Sequence, residues 1–257
     1  MLKIDFYFWG DQCPHNSLIR NRLQDLLDPK RYRLNFIDIS NDLERAKKLK
    51  IFSPNLIIFN GDYRWNGPIN MDTIKLLEEG KKPKKHPYRV SSSENIVVGL
   101  LKPLNEKTVA DSFNVCAPSY GKCCCAPKGD WIRRIKERYN IKSMGYLHYL
   151  NEKCVGGAEF VPSLMVPYNI PRAPNIAFLT CVFVSDEKAD YKSYPLGQLE
   201  KTLREMGFKE VITIASEDVV FPNGPLDWFV KRDYRDFGVI NYEVADAAKM
   251  HLVKKKL

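Results

Sequence analysis

The sequence predicts an α/β protein of two domains joined by a short basic linker. Two series of alternating β-rich and amphipathic segments, at 1–80 and 94–257, support this fold class. Between them, residues 81–93 are rich in Lys, Pro and Ser and lack apolar periodicity, which is typical of a connector. A chain of 257 residues with 44% hydrophobic content is long enough to bury two modest cores.

The first series predicts the element order β-α-β-α-β-β-α. A β-rich run at 3–9 precedes a helix at 16–27 whose apolar residues share one face, with Asn16 or Ser17 as the candidate N-cap. The Asn60-Gly61 pair predicts a tight turn between the third and fourth strands. The other predicted elements are strands at 33–40, 55–59 and 62–65 and helices at 42–49 and 71–79.

This order, with Cys13 after the first strand and Pro54 before the third, resembles the thioredoxin and glutaredoxin family. In that family a Cys-x-x-Cys pair lies at the start of the first helix, where free N–H groups stabilise a thiolate. Here segment 13–16 is Cys-Pro-His-Asn, so Asn16 replaces the resolving cysteine and no disulfide can form within the motif. The resemblance implies that Pro54, at a position that is usually cis, packs beside Cys13.

Two interpretations of Cys13 remain open. It is either a reactive thiol that acts through mixed disulfides, with Cys13 and Pro54 as redox residues, or an inherited turn residue in a domain that now serves for docking. The helix start favours a low thiol pKa, and only Asp11 opposes this effect nearby. We expect Cys13 to be more reactive than the cluster Cys123–Cys125.

The cysteine pattern predicts free thiols without a metal site. Seven cysteines are an odd number in a chain too long to need disulfides, which favours a reducing compartment. Structural zinc sites use cysteines separated by two to four residues, and the three adjacent residues Cys123–Cys125 cannot all reach one ion. We expect them, with Cys116 and Cys154, to pack as small apolar side chains.

The second series begins with a predicted strand at 95–101. The run at 175–185 is the longest and most apolar, which predicts a central strand. The remaining predicted elements are helices at 131–139, 196–206 and 226–233 and strands at 145–150, 154–161, 211–215 and 237–242.

Three segments of this series, 181–184 (Cys-Val-Phe-Val), 205–208 (Glu-Met-Gly-Phe) and 211–215 (Val-Ile-Thr-Ile-Ala), resemble the GNAT acetyltransferase superfamily. The resemblance covers roughly 95–245. Cys124-Cys125 and the segment 159–162 (Glu-Phe-Val-Pro) look like a branch that also carries a thioredoxin-like domain. The resemblance to the GNAT superfamily implies a CoA-dependent N-acetyltransferase. Its donor would be acetyl-CoA, and its acceptor would be a small-molecule amine or a protein amino group.

The resemblance also implies a site. Glu159 is the candidate general base, because such enzymes remove a proton from the attacking amine. Backbone groups of the central strand would bind the pantetheine, and the following loop and helix start would bind the pyrophosphate. The implied cofactor-binding residues are Val182, Phe183, Val184, Lys188, Lys192 and Ser193.

Two departures from the family pattern favour an alternative, a degenerate GNAT-like binding module without activity. The loop that precedes the helix contains no glycine before Gly197, although glycine lets a backbone approach phosphate closely. Phe229 stands where the family has its general-acid tyrosine, and Tyr234 is the candidate substitute.

The net charge of +9 is local. It comes largely from the linker and from a tail at 254–256, which we expect to be solvated and frayed, so the sequence predicts no nucleic-acid partner. The apolar run at 176–184 is shorter than the roughly 18 residues of a membrane span. Because Asp5 interrupts the apolar start, we expect no signal peptide, no membrane partner and a cytoplasmic protein.

Overall fold

A computed structural model describes residues 1–86, 93–116, 125–186 and 188–257 as two mixed α/β bodies. The first contains a four-stranded sheet in the order β2-β1-β3-β4, in which β1 is parallel to β2 and antiparallel to β3. Its elements are β1 (Leu2–Phe8), α1 (Pro14–Leu26), β2 (Tyr32–Asp38), α2 (Leu43–Lys48), β3 (Asn55–Phe59), β4 (Tyr63–Trp65) and α3 (Met71–Glu78). The predicted element order is therefore present, while the relation to the thioredoxin family stays a prediction.

The second body contains a seven-stranded sheet in the order β10-β11-β9-β8-β7-β6-β5. Its strands are β5 (Leu100–Pro103), β6 (Gly145–Leu150), β7 (Lys153–Pro162), β8 (Ile176–Val184), β9 (Glu210–Ser216), β10 (Arg235–Glu243) and β11 (Ala248–Lys256). Its α-helices are α4 (Val109–Cys116), α5 (Cys125–Tyr139), α6 (Ser193–Glu205) and α7 (Leu226–Val230). The mixed α/β class is as predicted, and β8 lies at the centre of the sheet.

The strands β8 and β9 form the parallel pair of this sheet. They pair only from Ile176 to Phe178 on β8 and from Glu210 to Ile212 on β9. Beyond these residues the two backbones part, so the C-terminal half of β8 has one strand neighbour, β7.

Two sequence predictions in the second body were wrong. The segment 95–101 is not one strand: Ile96 makes a single bridge to Asp190, and β5 begins only at Leu100. The tail at 254–256 is not frayed, because it ends β11, which lies between β9 and β10. Lys254 pairs with Glu210 at 3.0 Å and Lys255 with Glu200 at 2.7 Å, which compensates their charges inside the sheet.

An apolar core is shared between the two bodies. Trp9 packs edge-on against Trp131 and Tyr168, with ring centroids 6.1 and 5.4 Å apart. The side chains that the first body contributes to this shared core are Trp9, Ile39, Ala46, Ile51, Phe52, Leu56 and Ile58. A second core lies on the other face of the first sheet, around Ile4, Phe6 and Ile19. The boundaries at 80 and 94 stay a prediction.

The end of the linker that the structure describes is docked and not solvated. The Lys85 backbone N–H donates to the Ala245 carbonyl at 2.8 Å, and its ammonium pairs with Asp246 and lies 4.5 Å from the Trp65 ring centre. Residues 87–92 of the predicted linker lie outside the described residues. In the part of the chain that is described, no helix has the length and apolarity to span a membrane.

Candidate functional site between the two sheets

A cavity of about 190 Å³ lies between the two bodies. It brings together four predicted site residues that are far apart in sequence: Cys13 and Pro54 from the first body, and Glu159 and Phe183 from the second. The opening between β8 and β9 reaches the same cavity, because Ile214 of β9 also lines it. The cavity is therefore the candidate site.

Cys13 lies at the N-cap position of α1, with extended backbone angles of φ −102° and ψ 133°. The N-cap thus lies three residues before Asn16 and four before Ser17, the two predicted caps, and Asn16 is instead a buried structural amide. Asn16 Nδ2 donates to the Gly10 carbonyl at 2.8 Å, and Asn16 Oδ1 accepts from Asn55 Nδ2 at 3.0 Å. The residue that replaces the resolving cysteine therefore ties the end of β1 to β3.

Pro54 lines the cavity with Cys13, as the resemblance implies, and its carbonyl accepts the Trp9 N–H at 2.9 Å. The peptide bond before Pro54 is trans. The cis bonds among the described residues precede Pro222 and Pro225, both in the loop after β9. The usual cis geometry of the thioredoxin family is therefore not present at Pro54.

His15 changes the acidity of the Cys13 thiol. Burial alone raises the pKa of Cys13, but a hydrogen bond with the His15 ring, the charges of His15 and Lys128, and the His15 backbone N–H together hold it below its usual value. Burial lowers the pKa of His15, but the Cys13 thiolate and the Cys116 carbonyl, which accepts from the ring, raise it above the usual value. His15 is therefore the partner that favours the ionised form of the Cys13 thiol.

The other described thiols are protonated near neutral pH. Burial raises the pKa of Cys116 to about 12 and that of Cys154 to about 11, and it raises the pKa of Cys181 well above its usual value. Cys123 and Cys124 lie outside the described residues. Among the described residues, no group of three or more His, Cys, Asp or Glu side chains is placed to hold a metal ion.

We predict that limited iodoacetamide treatment near neutral pH labels Cys13 first, because only thiolates react fast. The pH midpoint of labelling should lie below that of an ordinary thiol and should rise in His15→Gln, which removes the cationic partner. Peptide mass spectrometry across a pH series measures both. Cys154→Ser is the control that leaves Cys13 labelling unchanged, and preferential labelling within 123–125 would contradict the prediction.

Glu159 is buried and forms an ion pair that sequence reasoning missed. Its carboxylate accepts from Lys128 Nζ at 2.5 Å, Thr180 Oγ1 at 2.7 Å and Gln12 Nε2 at 3.0 Å. Lys128 is 5% exposed and Glu159 1% exposed. The carboxylate therefore has three donors, including an ammonium, and links both bodies. Its role as a general base stays a prediction.

The sequence analysis did not identify Lys128 as a site residue, because α5 begins earlier than predicted. The predicted helix started at 131, whereas α5 already includes Lys128. Burial alone lowers the pKa of Lys128, but the charge and hydrogen bond of Glu159 raise it above its usual value. One signal was available: Lys128 lies one turn before Trp131, on the side of the helix that the apolar residues define.

The GNAT resemblance assigns the backbone of β8 to cofactor binding, but the Val182 N–H of this strand already has a hydrogen-bond acceptor within the chain. The Val182 N–H donates to Asn223 Oδ1 at 3.0 Å, and Asn223 Nδ2 donates to Thr213 Oγ1 at 3.1 Å. Thr213 Oγ1 in turn donates to the Leu179 carbonyl at 2.9 Å. Asn223 therefore bridges β8 and β9 where they part, and no sequence motif pointed to it. Phe183 and Val184 follow at the end of β8.

The start of α6 carries a carboxylate of the chain itself. Asp190 accepts the backbone N–H groups of Lys192 and Ser193 at 3.0 and 2.9 Å, and also the Ser193 hydroxyl and the Trp228 indole N–H. Arg232 pairs with the same carboxylate. Burial would raise the pKa of Asp190, but these donors hold it below its usual value. The place where the resemblance implies a pyrophosphate thus holds an anion, as a helix start favours.

The two lysines implied for phosphate binding lie in different environments. Lys188 is exposed. Lys192 is buried, donates from Nζ to the Gly224 carbonyl at 3.1 Å and lies 4.2 Å from the Trp228 ring centre. Burial lowers its pKa to about 8. In this structure Lys192 therefore stabilises the α6–α7 contact.

Tyr234, the candidate general acid, does not line the cavity. Its hydroxyl donates to Glu200 Oε1 at 2.9 Å, and its ring packs on Phe229 with centroids 5.2 Å apart. Burial raises its pKa well above the usual value. The structure therefore does not bring Tyr234 together with Glu159.

Comparison with known proteins gives matches only among solved structures; no protein-family model and no curated protein matches the chain. An N-acetyltransferase from Staphylococcus aureus Mu50 has 10% identity and a TM-score of 0.46, covering 61% of this chain and 97% of its own. Ard1 from Thermoplasma volcanium has 10% identity and a TM-score of 0.45, covering 63% and 99%.

A third similar structure is PaiA N-acetyltransferase from Thermoplasma acidophilum in complex with coenzyme A. It has 13% identity and a TM-score of 0.37, covering 62% of this chain and 98% of its own. Likeness at these TM-scores establishes neither the family nor the activity of this chain. Its function has to be argued from its own geometry.

Proposed function

We propose that the chain is a CoA-dependent N-acyltransferase of the GNAT type. The single observation that carries the proposal is the parting of β8 and β9 after three residue pairs, at the mouth of a cavity that contains titratable groups. Such an opening offers backbone groups of β8 to a thioester arm. The donor would be acetyl-CoA, and its acyl group would enter the cavity between the two bodies.

The cavity size bears on the acceptor. A volume of about 190 Å³ is smaller than the roughly 300–1,000 Å³ of sites for drug-sized ligands. It therefore suits a small-molecule amine better than a protein amino group, which would need the two bodies to separate. Glu159 would act as the proton acceptor only after release from Lys128, so we assign it the role of holding the cavity walls.

Two groups of the chain have to move for CoA to bind. Asn223 must release the Val182 N–H, and the Asp190 carboxylate must leave the start of α6 with its partner Arg232. Both contacts favour the alternative of a binding module without CoA. Titration calorimetry with millimolar acetyl-CoA decides between them: heat and a thermal shift support the transferase, and the absence of both contradicts it.

The variant Asn223→Ala should change stability and affinity in opposite directions. It leaves the buried Val182 N–H without its acceptor, which should lower the free energy of unfolding by about 1–3 kcal/mol. It also frees that N–H for the ligand, which should tighten acetyl-CoA binding by about tenfold. Urea unfolding and calorimetry measure the two effects.

The control for this pair of measurements is Asn21→Ala on the exposed face of α1, which should change neither value. If Asn223→Ala weakens acetyl-CoA binding as well as stability, then Asn223 itself binds the cofactor or only supports the fold. In that case the proposed route along β8 would be wrong.

The Cys13–His15 pair favours a second function, redox chemistry of a single thiol through mixed disulfides. A thiol at a helix start whose pKa is lowered by a neighbouring histidine is a nucleophile whether or not CoA binds. Without a cysteine at position 16, a redox cycle would need an external thiol to resolve the mixed disulfide. The alkylation experiment above tests this thiol independently of acetyl-CoA.

A further inference from the structure

The cavity connects the β8–β9 opening with the start of α1. Phe183 and Asn223 line it at the opening, and Cys13 and His15 line it at the opposite body. The first body thus closes the side of the sheet on which an acceptor would enter. An acyl group that passes between β8 and β9 therefore meets side chains of this chain before it meets solvent.

Among the nucleophilic side chains of this cavity, Cys13 is the one available to react. Cys116 and Cys181 are protonated because burial raises their pKa. The Lys128 ammonium is held by Glu159, and the Ser112 hydroxyl donates to the Val109 carbonyl at 2.7 Å. The Thr180 hydroxyl donates to Glu159, but that carboxylate is already bound to the Lys128 ammonium. Cys13 has His15 beside it in the cavity.

The Cys13–His15 pair has the arrangement of an activated nucleophile. A nucleophile is activated by an adjacent base. Here Cys13 and His15, in the first turn of α1, both line the cavity, and His15 holds the pKa of the Cys13 thiol below its usual value. The N-cap position adds the positive end of α1 beside the sulfur.

We infer that Cys13 accepts an acyl group from a thioester bound in the cavity, as a covalent step of the transferase; this inference rests on the proposed function. The Cys13 sulfur forms a bond to the acyl carbonyl carbon, and the bond between that carbon and the donor sulfur breaks. The departing thiolate takes the proton that His15 holds. The net reaction exchanges one thioester and one thiol for another thioester and another thiol, so no oxidant or reductant is needed.

The test incubates the full chain with acetyl-CoA and, separately, with S-acetyl-N-acetylcysteamine, a thioester that lacks the nucleotide. We expect acetylation of Cys13 by peptide mass spectrometry, reversed by neutral hydroxylamine and absent in Cys13→Ser. His15→Gln should slow it by about 100-fold at neutral pH, the size of a general acid–base effect. Cys154→Ser, outside the cavity, is the control that keeps the wild-type rate.

The two donors separate the inference from the proposed function. Acetyl-CoA binding by calorimetry with no Cys13 acetylation by either donor overturns the inference and leaves the transferase standing. Cys13 acetylation by the small thioester without acetyl-CoA binding supports the inference and overturns CoA as the donor. Acetylation of Cys116 or Lys128 instead of Cys13, or a Cys13 disulfide in place of the acetyl group, also overturns it.

Discussion

Lys128→Met is expected to lower the free energy of unfolding by about 3–5 kcal/mol, since it leaves the buried Glu159 carboxylate without its cation. The pair joins α5 to β7 at 2.5 Å, and Gln12 of the first body shares the same carboxylate. Two neutral donors remain, but they cannot offset a full charge in a site of low dielectric. Urea unfolding followed by circular dichroism measures the change.

Two companion variants identify the cause of this loss. Lys128→Met combined with Glu159→Gln removes both charges and should recover at least half of the lost stability. Lys231→Met breaks an exposed pair with Glu94 and should leave the unfolding midpoint unchanged. If the double variant is as unstable as the single one, packing of the Lys128 side chain, and not charge, holds the cavity together.

Arg64→Met is expected to weaken the contact between the two bodies by about 3 kcal/mol, because it leaves Glu243 buried and unpaired. Arg64 Nε and its terminal guanidinium nitrogen both donate to this carboxylate, at 2.8 and 2.5 Å. Since the cavity lies between the bodies, its thiols should become accessible. We expect Cys116 and Cys181 to react faster with a disulfide reagent in this variant.

The matched control is Lys82→Met, which removes an exposed partner of Asp62 on the same body. It should change neither the unfolding midpoint nor the thiol reactivity. A loss of stability in Arg64→Met without faster reaction of Cys116 and Cys181 would show that the pair supports β4 locally. In that case the cavity between the two bodies would stay closed without the Arg64–Glu243 pair.

Most secondary structure followed from local patterns. The strands Asn55–Phe59 and Gly145–Leu150 have the predicted bounds, because an unbroken apolar run or a clear alternation ends at a turn signal on both sides. The strand β11 was missed because its three final lysines resemble a solvated tail. Met250 and Val253 are buried on opposite faces of this strand, and the acids that neutralise Lys254 and Lys255 come from other elements.

The candidate site was predictable only in part. Cys13 was identified because a helix start is a local feature, and Glu159 because the resemblance to the GNAT superfamily implied it. Asn223 and Asp190 were not identified, because their roles depend on partners 41 and 42 residues away, the Val182 N–H and the Arg232 guanidinium. Hydrogen bonds at such separations leave no periodic trace in a sequence.

The sequence by itself determined the α/β class, the order of the elements in the first body and the position of Cys13 at a helix start, because backbone periodicity and capping act over a few residues. Only the tertiary structure decided that the two bodies share a core, that Lys128 neutralises Glu159, and that His15 is the partner of Cys13. Burial is the physical reason. The acidity of Cys13 and the pairing of Glu159 depend on which groups lose contact with water together, which the folded chain alone sets.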